Sequence, residues 1–331
     1  MEIAFTEHVP ITDSSSIGEV RRTALLSGQR LGFDETRYGQ LALLATEVSR
    51  NVLIHGGGGQ VILTGIQDQN GSRARILALD RGPGIENLGR AMADGFSTAG
   101  TMGGGLGAMK RIADVLEIFT SRSGTIVMVE LGQQTSKELL KIAGMAVPYP
   151  GERFCGDGWA CHQDPDRMLI LLVDGLGHGR EAAEAAEEAI ATFRRRAQCN
   201  PAEIVGFIHD ALRKTRGAVG AVAEVRPQEG IIRYAGIGNI SASLLSTEGS
   251  RSLVSHNGTL GMVASKIQEF RTDWSPAMTL ILHSDGLQSR WDLTPYAGLM
   301  VKHPAVIGGA LLRDFRRQRD DASVVVVKAA A

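Results

Sequence analysis

Apolar residues in the first 131 positions switch between the period of a strand and that of a helix. Ile3 and Phe5 alternate as in a strand, and apolar residues recur at helical intervals over 16–31 and 41–54. The glycines at 56–59 end the second helix. We predict the remaining elements as strands over 60–66, 75–79, 115–119 and 126–131 and a helix over 104–113. This order predicts an α+β fold with helices on one face of a sheet.

The apolar pattern weakens over 132–136, and a strand-rich pattern begins near Lys137. Two Ala-rich helices are predicted at 181–196 and 201–216, and another helix at 304–316. The predicted strands are 141–147, 156–162, 168–173, 218–225, 231–235, 242–245, 267–271, 279–283 and 323–328. Many strands flanking two adjacent helices indicate a layered α-β-β-α sandwich. We therefore predict two domains, at 1–133 and 137–331.

Composition and charge narrow the class of protein. The length of 331 residues suits two domains, and 35 Lys and Arg against 36 Asp and Glu give a net charge of −1. The net charge therefore gives no overall electrostatic attraction to nucleic acid or to an anionic membrane. The three cysteines show no paired spacing, and no apolar run approaches the length of a membrane span. We expect a cytoplasmic protein that binds neither nucleic acid nor membrane.

Three polar segments of the first half carry candidate nucleotide chemistry. Glu47, Asn51 and His55 are spaced four apart and so share one helix face, which could also be an ordinary polar surface. Asp80–Gly84 places a carboxylate at a strand end, followed by glycines that allow close approach to a flat ligand. The glycine-rich run at 103–107 opens a helix, whose free N–H groups attract phosphate.

In this order the three segments resemble the N, G1 and G2 boxes of the GHKL ATP-binding fold. The stretch 90–114 is similar to anti-sigma-factor serine/threonine kinases, above all the stressosome switch-kinase type, and the resemblance covers about 1–133. It implies that Asn51 coordinates the Mg²⁺ bound with ATP, that Asp80 binds the adenine amino group, and that Glu47 is the general base. The other implied nucleotide-binding residues are Gly82, Gly84, Gly103, Gly104, Gly105, Leu106, Gly107, Lys110 and Thr125. For Lys110, a surface lysine is an equal alternative.

Aspartates recur beside glycine at strand ends in the second half. Asp157, Asp174 and Asp285 each precede a glycine, and the last two end apolar strands. A single Asp-Gly pair is usually a turn. Together with Asp320, however, these carboxylates are a set of hard oxygen ligands that suits Mg²⁺ or Mn²⁺ rather than zinc. Converging aspartates would repel one another unless cations offset their charge.

This set resembles the type 2C metal-dependent protein phosphatases of the SpoIIE-like branch, over about 137–331. Further matching motifs are Asp-Gly-Leu-Gly-His-Gly at 174–179, Ala-Gly-Ile-Gly-Asn at 235–239 and Asp-Asp-Ala-Ser at 320–323. The resemblance implies two Mn²⁺ or Mg²⁺ ions. Asp174, the catalytic residue, would bridge them, with Asp157 and the Gly175 carbonyl on one ion and Asp285 and Asp320 on the other.

Two details of the second half stay open. Asn239 stands where many relatives have His, so contacts to the substrate are expected to differ. His178 is equally well explained as a residue at the edge of the site or as a structural hydrogen-bonding residue. Asp320 is preferred over Asp321 because the first aspartate of the closing motif is the family's ligand.

Together these resemblances predict a bifunctional regulator. It would phosphorylate and dephosphorylate Ser or Thr of a STAS-domain antagonist or scaffold protein in a partner-switching or stressosome-like pathway. A sigma factor or downstream effector is a further candidate partner, and a homodimer a candidate assembly. Two alternatives remain: a phosphatase for which ATP is a regulatory ligand, and an anti-sigma or partner-binding module joined to a phosphatase.

Overall fold

The computed structural model describes residues 2–68, 71–92, 105–132, 139–264 and 266–330, and the chain forms two compact units. The amino-terminal unit contains Ile3–Ser136 and also Leu293–Arg313. The carboxy-terminal unit contains Met1–Glu2, Lys137–Asp292 and Asp314–Ala331. A segment that the sequence places in the second domain therefore packs with the first unit. No helix in the described ranges is both long and apolar enough to cross a membrane.

The amino-terminal unit is built on a five-stranded sheet in the order β1-β2-β3-β5-β4. The pairs β2–β3, β3–β5 and β4–β5 are antiparallel. The elements in chain order are β1 (Glu2–Ile11), α1 (Ser14–Arg30), α2 (Glu35–Ile54), β2 (Gly59–Asp68), β3 (Gly71–Asp80), α3 (Leu88–Ala91), α4 (Gly105–Ile112), β4 (Val115–Ser121) and β5 (Gly124–Gly132).

Local signals explain where the two long helices begin. Asp13 accepts hydrogen bonds from the backbone N–H groups of Ser15 and Ser16 and so caps α1. The Asp34 side chain accepts from the Arg37 N–H, and α2 therefore begins at Glu35 rather than at the predicted residue 41. The earlier start was missed because its first turn is mostly polar, whereas the prediction followed the apolar residues.

The helices α1 and α2 cover one face of the sheet. Buried residues of both helices, such as Val20 and Val48, share one apolar core with Ile76 and Ala78 of β3. The neighbouring residues of β3 point to the other face, and β3 is buried from Arg73 to Asp80. On that face lies the later helix α7 (Pro304–Phe315), where a Cβ on Gly309 would come within 2.9 Å of the Leu79 side chain.

A buried ion pair lies in this unit. Arg75 Nε of β3 is 2.5 Å from Glu130 Oε1 of β5, and both side chains are nearly inaccessible. Burial alone would raise the pKa of Glu130, but the charges of Arg75, His303 and Arg73 hold that pKa at about 2. His303 belongs to the segment Leu293–Arg313, and its backbone N–H donates to the Glu117 carboxylate at 2.9 Å.

We expect Glu130→Gln to lower the free energy of unfolding by about 3–5 kcal/mol at pH 7, because it removes the charge of the carboxylate that pairs with the buried Arg75 guanidinium. The depressed pKa means that Glu130 stabilises the fold above its ordinary pKa of 4.5 and that this contribution is lost as the pH falls towards about 2. Urea unfolding measures this effect. The difference in unfolding free energy between the wild type and Glu130→Gln should therefore be smaller at pH 3 than at pH 7. Arg37→Gln breaks an exposed ion pair with Asp114 and should cost less than about 1 kcal/mol.

The carboxy-terminal unit contains two five-stranded sheets, with orders β13-β10-β9-β8-β7 and β12-β11-β14-β15-β6. A Cβ on Gly144 of β6 would lie 2.2 Å from the ring of Trp159 of β7, so the two sheets pack face to face at this point. The strands are β6 (Leu140–Val147), β7 (Asp157–Gln163), β8 (Met168–Gly175), β9 (Ala218–Arg226), β10 (Ile231–Ile237), β11 (Ser241–Ser246), β12 (Gly249–Leu253), β13 (Phe270–Asp273), β14 (Thr279–His283) and β15 (Ala322–Ala329).

Helices α5 (Arg180–Arg195) and α6 (Pro201–Ala211) cover the first of these sheets. Ala185, Ala189 and Phe193 of α5 and Ile204 of α6 share a core with Leu171 of β8. The small alanines let the helix lie close to the strands.

Three elements of the carboxy-terminal unit differ most from the prediction, and in the amino-terminal unit the short helix α3 was not predicted. The α-helix α6 ends at Ala211 and continues as a 3₁₀ turn over Leu212–Lys214, short of residue 216. Strand β13 spans Phe270–Asp273 rather than 267–271. Strand β12 was missed because its sequence, Gly-Ser-Arg-Ser-Leu, is polar and mostly exposed, and it lies at a sheet edge where pairing rather than burial defines it.

Candidate functional site

A cavity of about 640 Å³ lies in the amino-terminal unit between α2, the ends of β3 and β5, and α4. Glu47 and Asn51 line it from α2, Asp80 from the end of β3, and Thr125 from β5. The four-residue spacing thus places both polar side chains of α2 at the cavity, as the sequence predicts. Gly84, Gly105 and Leu106 also line it. One cavity thus gathers residues from four separate segments of the sequence.

Asp80 is held in a defined orientation. Its side chain is buried, and Oδ1 accepts hydrogen bonds from the backbone N–H groups of Gly82 at 2.9 Å and Thr125 at 3.0 Å. Because both bonds use Oδ1, Oδ2 is the oxygen that a ligand amino group can reach. A Cβ on Gly56 would lie 2.4 Å from the Asp80 Cβ, so glycine is required there by close approach.

The opposite end of the cavity suits an anion. Helix α4 begins at Gly105, and a Cβ on that residue would lie 3.9 Å from Asn51 Oδ1. The amide oxygen of Asn51 therefore lies beside the amino terminus of a helix, where free N–H groups and the helix dipole attract phosphate. Glu47 is partly buried one turn earlier on α2, 3.5 Å from Arg50. A carboxylate, an amide and a helix terminus are thus brought to one place.

Five of the predicted nucleotide-binding residues either lie outside the described residues or do not line the cavity. Gly103 and Gly104 fall outside the described residues. Lys110 is exposed and does not line the cavity, which favours the surface alternative for this residue. Gly82 and Gly107 do not line it either, although Gly82 orients Asp80.

The sequence did not predict the apolar wall of the cavity or the hydrogen bonds that Thr120 makes beside it. The wall includes Ala78, Ile85, Met109 and Val127. The hydroxyl of Thr120 accepts from the Ile85 N–H at 2.8 Å and lies 3.3 Å from the Thr125 hydroxyl. Thr120 and Thr125 are cross-strand partners in β4 and β5, so the strand register was the signal for this contact.

The predicted aspartates of the carboxy-terminal unit come together at the ends of its strands. Asp157 and Asp174 lie directly opposite each other in the β7–β8 pair. Burial raises the pKa of Asp174 to about 9, and the charges of Asp157, Asp285 and Asp320 add to this effect. Burial likewise raises the pKa of Asp157 to about 7. Neighbouring carboxylates therefore disfavour ionisation of Asp174, and a bound cation would offset this repulsion.

The donor chemistry of this cluster fits divalent cations that prefer oxygen. Asp157, Asp174, Asp285 and Asp320 offer carboxylates only, and Gly175 adds a backbone carbonyl beside them. Within the described ranges, no three His, Cys, Asp or Glu side chains are positioned to hold one ion as they stand.

Hydrogen bonds distinguish Asp320 from its neighbour. Asp321 is 2 % exposed, and its two oxygens accept from the Tyr149 N–H at 2.7 Å and the Gly156 N–H at 2.9 Å. Its carboxylate is thus engaged in joining backbone segments. Asp320 is more exposed, and burial and the charge of Asp285 raise its pKa. Of the two carboxylates, Asp320 is therefore the one not engaged by these backbone N–H groups.

Three polar neighbours of the cluster were not assigned roles by the sequence. The Ser284 hydroxyl donates to Asp157 Oδ2 at 2.6 Å. The Asn239 amide donates to Asp285 Oδ2 at 2.8 Å, so an uncharged donor occupies this position. His178 Nδ1 lies 3.1 Å from Glu152, and its ring stacks on Tyr149. Only the first of these bonds is buried.

Two family models match the chain. The model for "Stage II sporulation protein E (SpoIIE)" matches residues 164–330, and that for "Histidine kinase-like ATPase domain" matches residues 12–131. Because the first match spans just over half of the chain, the protein belongs to the SpoIIE family. The predicted resemblances and fold class are thereby confirmed: a phosphatase domain of the SpoIIE type follows a kinase-like ATPase domain.

Two proteins of Bacillus subtilis (strain 168) are similar to separate parts of the chain. Serine/threonine-protein kinase RsbT is 35% identical over 86 residues, which is 26% of this chain and 65% of RsbT. Phosphoserine phosphatase RsbX is 23% identical over 138 residues, which is 41% of this chain and 69% of RsbX. The chain thus spans just under two thirds of the length of RsbT.

Two solved structures are similar to part of the chain. A structure from work on the bacterial stressosome as a modular system for secondary messenger signalling superposes with a TM-score of 0.54 at 28% identity, covering 58% of this chain and all of that one. RsbX in complex with magnesium superposes with a TM-score of 0.53 at 18% identity, covering 65% of this chain and all of RsbX.

Proposed function

We propose that this protein phosphorylates and dephosphorylates Ser or Thr residues of a STAS-domain antagonist or scaffold protein. The observation that carries this proposal is the presence, on one chain, of a cavity with Glu47, Asn51 and Asp80 and of a separate cluster of four aspartates. The similarity to RsbT, a kinase, and to RsbX, a phosphatase, supports opposed activities. The similarity to a stressosome structure supports a partner-switching or stressosome-like pathway.

In the kinase reaction, the chain's residues bind and orient the nucleotide and move one proton. Asp80 Oδ2 would accept the adenine amino group, Asn51 would hold Mg²⁺, and α4 would direct its N–H groups at the phosphates. ATP with Mg²⁺ supplies the γ-phosphoryl group. Glu47 would accept the proton of the attacking Ser or Thr hydroxyl. The contact of 3.5 Å between Glu47 Oε1 and Arg50 would limit the orientations of this carboxylate.

In the phosphatase reaction, the aspartates position two divalent cations. Asp174 would bridge them, Asp157 and the Gly175 carbonyl would complete one site, and Asp285 and Asp320 the other. When bound, two such cations lower the pKa of water and offset the negative charge of a phosphoryl group. Mg²⁺ and Mn²⁺ both suit the all-oxygen donors, and RsbX was solved with magnesium. Asn239 would hold the Asp285 carboxylate in place.

The bifunctional proposal is tested by supplying ATP, Mg²⁺, Mn²⁺ and a STAS protein from the same genome. If both activities act on the same residue, we expect steady release of ADP and phosphate with only partial labelling of the STAS protein. Each round of phosphorylation then supplies the substrate for the next hydrolysis. Mass spectrometry locates the labelled residue, and phosphate release is followed continuously.

Three other outcomes would support alternative functions. ATP binding that alters hydrolysis without labelling any protein would make ATP a regulatory ligand. Labelling and hydrolysis on different proteins would overturn the shared substrate and leave both activities. Retention of a sigma factor or downstream effector by the ATP-bound protein would support a partner-binding role, and size-exclusion chromatography with light scattering tests the proposed homodimer.

A further inference from the structure

Ser284 joins the strands that carry the aspartates. It lies between β14 and Asp285, and its side chain is 0% exposed. Its hydroxyl donates to Asp157 Oδ2 at 2.6 Å and accepts from the Ser323 N–H at 3.0 Å. Its own backbone N–H donates to the Ser323 carbonyl at 3.1 Å. One buried side chain therefore links the start of β7, the end of β14 and the start of β15.

When Asp157 is ionised, as it must be to hold a cation, the number of protons fixes the direction of these bonds. A serine hydroxyl has one proton to donate. The Ser323 N–H is itself a donor, so it must approach a lone pair of the Ser284 oxygen. The hydroxyl proton is then directed at Asp157 Oδ2. The Ser284 hydroxyl therefore engages Asp157 Oδ2 and leaves Oδ1 without a bond from Ser284.

We propose that Ser284 is a positioning residue that orients Asp157 for cation binding and holds the segments bearing Asp157, Asp285 and Asp320 in register. The inference rests on the proposed metal-dependent phosphatase function. It assigns Ser284 no contact with a cation or a substrate. Its effect is exerted through the carboxylate of Asp157, in the way that residues behind metal ligands fix ligand orientation.

The test measures Mn²⁺ affinity by calorimetry, independently of activity. We expect Ser284→Ala to bind Mn²⁺ about 10- to 100-fold more weakly than the wild type, as is typical when such a supporting bond is removed. Hydrolysis of an aryl phosphate should then require a correspondingly higher Mn²⁺ concentration. Ser284→Cys has nearly the same size but a weak donor, and should show the same loss. A hard cation such as Mn²⁺ gains little from the thiol.

Tyr234→Phe is the matched control. Tyr234 is also buried in this unit, and its hydroxyl lies 2.8 Å from Ser255 rather than from an aspartate. This variant should lose some stability but retain the Mn²⁺ affinity of the wild type. If Ser284→Ala fails to fold, Ser284→Cys decides the question.

The test distinguishes failure of the Ser284 positioning role from failure of the proposed phosphatase function. Wild-type affinity in a folded Ser284 variant, or an equal loss in Tyr234→Phe, overturns the positioning role. If the wild type itself binds no Mn²⁺ or Mg²⁺, the proposed phosphatase function fails, and the inference fails with it.

Discussion

Replacing Asp174 by asparagine should abolish cation-dependent hydrolysis of phosphoserine and of small aryl phosphates. The variant removes the charge proposed to bridge two cations, and the remaining aspartates cannot hold both ions in one place. We expect its rate to fall to the level that the wild type shows in excess chelator. Steady-state hydrolysis with increasing Mn²⁺ measures this, with calorimetry as a check on ion binding.

The same substitution should stabilise the cation-free protein. Burial and neighbouring charges raise the pKa of Asp174 to about 9, so the folded state favours its protonated form. Asp174 therefore contributes stability below its ordinary pKa of 3.8, and this contribution is lost as the pH rises towards about 9. In chelator, Asp174→Asn should melt higher than the wild type, and by more at pH 9 than at pH 5.

Asp210→Asn provides the control, because Asp210 is an exposed aspartate paired with Arg213. It should leave hydrolysis, ion binding and the pH dependence of melting as in the wild type. A wild-type rate in Asp174→Asn, or hydrolysis by the wild type that is unaffected by chelator, contradicts the assignment of the aspartate cluster.

The sequence predicts best those features that depend on local spacing. Glu47 and Asn51 share a helix face because they are one turn apart, and Asp80 marks a strand end because an apolar run stops there. Both inferences need only a few neighbouring residues. Local spacing nevertheless did not predict the start of α2. Its first turn after the Asp34 cap is mostly polar, so it lacks the apolar residues at helical intervals on which the prediction relied.

Contacts between distant residues depend on strand register, which periodicity does not determine. The bonds from Ser284 to Asp157 and from Arg75 to Glu130 join strands far apart in sequence. The structural distinction between the adjacent Asp320 and Asp321 likewise depends on the distant backbone N–H groups of Tyr149 and Gly156, which Asp321 contacts. The grouping of Leu293–Arg313 with the amino-terminal unit also had no signal in the apolar pattern, since a buried helix has the same pattern in either unit.

Glu47→Ala should slow phosphorylation of a STAS protein by about 10²–10⁴-fold, the usual contribution of a general base. Its affinity for ATP should stay close to that of the wild type, because a proton acceptor acts in the transition state and contributes little to ground-state binding. Single-turnover phosphotransfer with radiolabelled ATP measures the rate, and calorimetry measures the affinity. Hydrolysis of pre-phosphorylated substrate should be unchanged.

Asp80→Asn supplies the contrasting variant, since it replaces the carboxylate proposed to accept the adenine amino group. It should lose both ATP binding and phosphotransfer, whereas Glu47→Ala should lose phosphotransfer alone. A Glu47→Ala protein that still labels its substrate at the wild-type rate rules out Glu47 as the base. If the wild type binds ATP but labels no STAS protein, and Asp80→Asn abolishes that binding, the cavity of the amino-terminal unit serves nucleotide sensing rather than phosphotransfer.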